Sequence, residues 1–93
     1  MKKAFIVTYD LSNPGRNYEN LLKRIKAYNH WARLGGSSYI IMVTPTTTTA
    51  QVRDYLVQAL ELNDKLYVSL LGNDAAWHGL AADVSNWIKQ NQK

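Results

Sequence analysis

The stretch Tyr9-Asp10-Leu11-Ser12-Asn13-Pro14-Gly15-Arg16 holds the residues best placed to do chemistry in this 93-residue chain. Asp10 is the first charge after the apolar run Ala4-Phe5-Ile6-Val7-Thr8-Tyr9, so it stands where a strand end meets solvent. By residue type alone its carboxylate has a structural use: accepting from the amides of Ser12 or Asn13 ahead of the turn that Pro14-Gly15 enforces. Beyond it, the Gly15 amide and the Arg16 guanidinium offer a cradle for a phosphate, with Ser12 as a further donor. A Pro-Gly followed by a basic residue is equally the signature of an exposed turn. Lys23 and Arg24 extend the set of phosphate-binding candidates, and with Lys26 they also read as the solvated face of a helix. His30 and His78 have no histidine or carboxylate at ligand spacing, which leaves no zinc signature and no histidine-based triad.

The elements that must position these residues fit one domain, 1–93. A chain of this length buries ~60–65% of its unfolded surface. The hydrophobic fraction is 46%, with three Trp, six Tyr and one Phe, which is the composition of a packed globule. No stretch approaches the ~20 apolar residues of a membrane span. Cysteine is absent, which removes disulfides, thiolate metal sites and a cysteine nucleophile. Met1-Lys2-Lys3 is followed by only about six apolar residues and no small-residue cleavage site, so a cytoplasmic protein is expected. The net charge of +4 suits an anionic partner, and surface lysines serving solubility explain it equally well.

Phe5, Val7 and Tyr9 alternate with Ala4, Ile6 and Thr8, so a strand here is apolar on both faces, as a central strand is. Tyr18, Leu21, Leu22, Ile25 and Tyr28 recur at helical spacing and predict a helix over 17–28, with Asn17 as N-cap and Glu19 in its first turn. His30 to Leu34 and Ser37 to Val43 form a hairpin through Gly35-Gly36. Thr48 with Gln51 three residues on is a capping box, opening a helix over 49–61 whose stripe is Val52, Tyr55, Leu56, Ala59 and Leu60. Asn63-Asp64 makes a turn, Lys65 to Leu71 a strand closed by Gly72-Asn73-Asp74, and 80–90 a last helix packing through Leu80, Val84, Trp87 and Ile88. The order gives an α+β fold: a ferredoxin-like β-α-β-β-α-β core over 1–71 with an antiparallel sheet, then a loop and an additional C-terminal helix over 72–93. Two helices on one side leave the sheet's other face to be hidden, by a homodimer packed sheet to sheet or in part by the terminal helix with Trp87.

A first strand ending Tyr9-Asp10-Leu11, then Pro14-Gly15 and the helix Tyr18-x-x-Leu21-Leu22-x-x-Ile25, resembles the small CRISPR-associated Cas two family. It is closer still to the Cas two-like proteins labelled SinR-like. The resemblance runs on through Leu34-Gly35-Gly36-Ser37-Ser38-Tyr39-Ile40-Ile41, Ala50-Gln51-Val52-Arg53-Asp54-Tyr55-Leu56 and Asn63-Asp64-Lys65-Leu66-Tyr67-Val68, covering the β-α-β-β-α-β core. The tail from Gly72 departs from the family's final strand, which exchanges between subunits. What the resemblance implies is a ferredoxin-like homodimer associated with nucleic acid. Asp10 would lie near the two-fold axis as catalytic residue and metal ligand, sharing a magnesium or manganese ion with its symmetry mate for phosphodiester hydrolysis. Two further readings stand beside it. One is a non-catalytic binding or adaptor module for nucleic acid, a small nucleotide or a protein partner; the other is a toxin ribonuclease of the VapD-like kind, which shares the fold and an early aspartate.

Overall fold

In the computed structural model the chain folds as β1 (Lys3–Asp10), α1 (Pro14–Lys26), β2 (His30–Gly35), β3 (Ser38–Val43), α2 (Thr49–Val57), β4 (Lys65–Leu71) and α3 (Ala82–Asn91). It describes residues 2–12, 14–72 and 74–91, with 14–17 described in backbone only. Asn13 and Asn73, expected in turns, lie outside the described residues. The strands form one sheet in the order β2-β3-β1-β4, every neighbouring pair antiparallel. This is the expected ferredoxin-like arrangement, with the two most apolar strands in the middle and a helix added at the C-terminal end.

Each face of β1 is covered by a different layer. Phe5, Val7 and Tyr9 pack with Tyr39, Ile41 and Val43 of β3 beneath Leu21 and Ile25 of α1, Val52 and Leu56 of α2 and Ala59 in the turn after it. On the other side Ala4, Ile40 and Met42 form a second cluster closed by Ile88 of α3, with Leu80, Val84 and Trp87 alongside. The terminal helix therefore takes the apolar half of the face for which a sheet-packed dimer was the other expected cover. The half nearest Asp10 is polar: Thr8 and Ser38 share a hydroxyl hydrogen bond of 3.3 Å, and Tyr67 and Lys65 are exposed beside them.

Three element ends differ from the periodicity. Helix α1 begins at Pro14, because proline at the first helical position gives up no hydrogen bond and brings its φ ready set. Asn17 is thus inside the helix rather than its cap, and no acidic residue occupies the first turn. At the other end α1 stops at Lys26, with the Tyr28 amide donating to the Ile25 carbonyl in a tightened turn at 3.2 Å. Helix α2 stops at Val57, four residues short of expectation, as Ala59 and Leu60 close i→i+3 turns onto Leu56 and Val57. Its start is as expected: the Gln51 amide donates to Thr48 Oγ1 at 3.1 Å and the Thr48 amide to Gln51 Oε1 at 2.9 Å.

Ile88, 3% exposed, anchors α3 as Ile25 anchors α1. Ile88→Ala is expected to lower the unfolding free energy by about 2–4 kcal/mol, as is Ile25→Ala. Urea denaturation followed by circular dichroism measures both; a loss below about 0.5 kcal/mol for Ile88→Ala would mean that α3 is no part of the cooperative core.

Candidate functional site

Asp10 ends β1 on the face that also carries Ala4, Ile6 and Thr8, with its carboxylate exposed and Lys65 opposite it on β4. Among the described residues, no hydrogen bond or ion pair reaches that carboxylate. The capping duty assigned to Asp10 by residue type belongs to Asp64. Asp64 Oδ1 accepts from the Ser12 amide at 2.8 Å and from Ser12 Oγ at 2.9 Å, and Oδ2 accepts from the Glu61 amide at 2.8 Å. These bonds, led by that from the Glu61 amide, hold the Asp64 carboxyl below its ordinary value. One side chain thereby ties the turn before β4 to the turn after β1. Ser12, expected as a phosphate donor, has both donors committed to a carboxylate.

Of the remaining phosphate candidates, Lys23 and Arg24 do not converge on Asp10. Gly15 and Arg16 fall in the first turn of α1, where the backbone alone is described. Lys23 and Arg24 lie in its last turn, on the opposite side of the sheet from Asp10, with about 14 Å of helix rise between Pro14 and Lys23. There they line a groove of about 450 Å³ between α1 and α2 with Asn20, Tyr55, Gln58 and Ala59. Arg24 is fixed in place: Nη1 donates to the Tyr55 carbonyl at 3.0 Å and to Gln58 Oε1 at 3.2 Å, and the guanidinium lies 4.8 Å from the Tyr55 ring centroid. Tyr55, expected on the core stripe, is 36% exposed and instead forms this platform, edge to face with Tyr28 at 5.9 Å. Lys23 is exposed at the groove, and Lys26 one turn on sits over Trp31 at 4.9 Å.

No general base is poised near Asp10 by its tyrosine neighbour. Burial first, then a hydrogen bond and charge from Tyr18, push the Tyr9 hydroxyl well above its ordinary 10.0, so it stays protonated. His30 is exposed on β2 and His78 in the loop before α3. Among the described residues no three His, Cys, Asp or Glu side chains come together to hold a metal. Asp10 by itself offers a single carboxylate, too few oxygen ligands for a magnesium or manganese ion unless others come from elsewhere.

Because the Asp64 carboxyl is held below its ordinary 3.8, it contributes stability that is present above that range and lost as pH falls through its folded value. Asp64→Asn is expected to be less stable than the parent at pH 7, with a narrower gap at about pH 3. Urea midpoints at the two pH values check this; a gap that stays constant would remove the charge from the explanation. No helix among the described residues is long and apolar enough to cross a membrane. No family model matches the chain, and no curated protein matches it.

Proposed function

We propose that the protein is a Cas two-like homodimer that associates with nucleic acid through the basic groove between α1 and α2. The observation that carries this reading is the pairing of an exposed lysine, Lys23, with an arginine, Arg24, held rigid over Tyr55 in the groove between α1 and α2. A pre-fixed guanidinium loses little freedom on meeting a phosphate, and a free ammonium beside it adds charge without geometry. Asn20 and Gln58 supply amide donors along the same groove. No acidic residue occupies the last turn of α1, where Lys23, Arg24 and Lys26 sit.

A second reading, metal-dependent phosphodiester cleavage, is favoured by one finding: Asp64 takes over the capping of the turn and leaves the Asp10 carboxylate without structural duty. In that reading Asp10 of two copies holds a magnesium or manganese ion, which when bound polarises a phosphoryl oxygen and activates water. The VapD-like ribonuclease reading uses the same residue and differs in requiring RNA. A binding or adaptor module needs no metal and leaves Asp10 facing Lys65.

Fluorescence anisotropy with labelled single-stranded RNA and duplex DNA tests the first reading. Lys23→Ala is expected to weaken binding to both alike and to reduce the slope of log K on log salt by about 1. Absence of binding at roughly 50 mM salt overturns it. The same substrates given Mg²⁺, Mn²⁺ or EDTA, with Asp10→Ala in parallel, decide the second. Cleavage that persists in EDTA or in the variant removes the metal assignment, and binding without cleavage leaves a binding module.

A further inference from the structure

We infer that two copies of the chain join edge to edge through β4, an inference that rests on the homodimer of the proposed function and supplies its geometry. The two edges of the sheet are treated differently. On β2 the register shifts between Arg33 and Gly35, and Arg33 donates to the Gly35 carbonyl at 2.9 Å and reaches the Gly36 carbonyl at 3.5 Å. A bulge and a charged side chain lying along the backbone are the usual ways a strand edge is closed to pairing. Strand β4 has neither. It pairs with β1 without a shift over seven residues, holds one charge at its first position, and exposes Tyr67 at 61% and Leu70 at 57%.

The occupant follows from self-complementarity. A two-fold axis through Val68 is the register that pairs all seven residues of β4 with a second β4: Lys65 meets Leu71, Leu66 meets Leu70, and Tyr67 meets Ser69. Leu66, Val68 and Leu70 share the helix side of the sheet, so apolar residues meet apolar ones there. This register carries the second copy's Leu70 beside Leu66. Leu66 lines a groove of about 230 Å³ with Thr49, Ala50 and Arg53 of α2 and Tyr67 and Val68 of β4. An exposed leucine and a groove at the matching position, each present twice, make an isologous contact. Strand addition beside a helix is a recurring mode of recognition, in which main-chain bonds supply affinity and side-chain pockets the register.

The geometry bears on catalysis. Asp10 pairs with Lys65, three residues from the axis, so the two Asp10 carboxylates of this dimer stand about 25 Å apart, too far to share an ion. Edge pairing therefore favours the binding module over the shared-metal nuclease.

The chain has no cysteine, so Val68→Cys places a single thiol on the axis, opposite its own copy. Mild oxidation is expected to convert it to a covalent dimer at least tenfold faster than Leu62→Cys, although Leu62 is 99% exposed. In the cysteine-free chain, Leu70→Lys is expected to raise the dimer dissociation constant at least tenfold in light scattering, with circular dichroism unchanged because the position is already open. A dimer that survives Leu70→Lys and does not cross-link through Val68→Cys overturns the edge pairing while leaving the homodimer. A monomer at roughly 100 µM, about five decades above a nanomolar dissociation constant, overturns both.

Discussion

The structure depends on one strand that is apolar on both faces. Val7 is fully buried beneath the helices, and Ala4, on the other face, is 6% exposed. Each face of such a strand must leave water, at about 25 cal/mol for every Å² of apolar area removed. A sheet with two helices on one side satisfies half of that requirement. Helix α3 and the segment before it satisfy most of the other half, within the same chain, through Ile88 and the half-buried Leu80, Val84 and Trp87. The apolar demand that would otherwise be met by a second molecule is thus met internally, and the apolar surface still exposed lies elsewhere.

The end of that strand shows a division of labour between two aspartates. Asp64 is spent on structure: three donors converge on it, and it holds two turns that are distant in sequence. Asp10, two residues before Ser12, is left facing solvent across from Lys65. The same division applies to the cations of α1. Arg24 is engaged with the α2 backbone and the Tyr55 ring, whereas Lys23 stands open beside it. In both cases a residue fixed by its contacts stands near an open one of like charge.

Local rules made much of the fold legible. Alternation identified β1 and β3 and placed them centrally, and the three-residue spacing of Thr48 and Gln51 gave the start of α2. The proline rule that would have started α1 at Pro14 was outweighed by the apolar stripe, which begins at Tyr18. The site was less legible because its contacts are not local. Asp64 and Ser12 are 52 positions apart, and no spacing rule links a turn aspartate to a distant amide. Asp10 therefore took a duty by proximity in sequence that Asp64 holds by proximity in space. Tyr55 is less legible for a related reason: periodicity puts it on the apolar stripe, but in space it is 36% exposed beneath the Arg24 guanidinium of the neighbouring helix. Lys23 and Arg24 were recognisable as cations, while their separation from Asp10 by the full thickness of the sheet follows from the topology.

If two chains pair through β4 as proposed, the shift in β2 and the lie of Arg33 along its carbonyls would also set the stoichiometry. A sheet open at both edges can add copies without end, each addition exposing a fresh edge, and the product is a ribbon. A sheet open at one edge consumes it in the first pairing. In the proposed dimer the guarded strand would therefore limit assembly through β4 to two chains, and the protection against fibres would reside in the strand that takes no part in the contact.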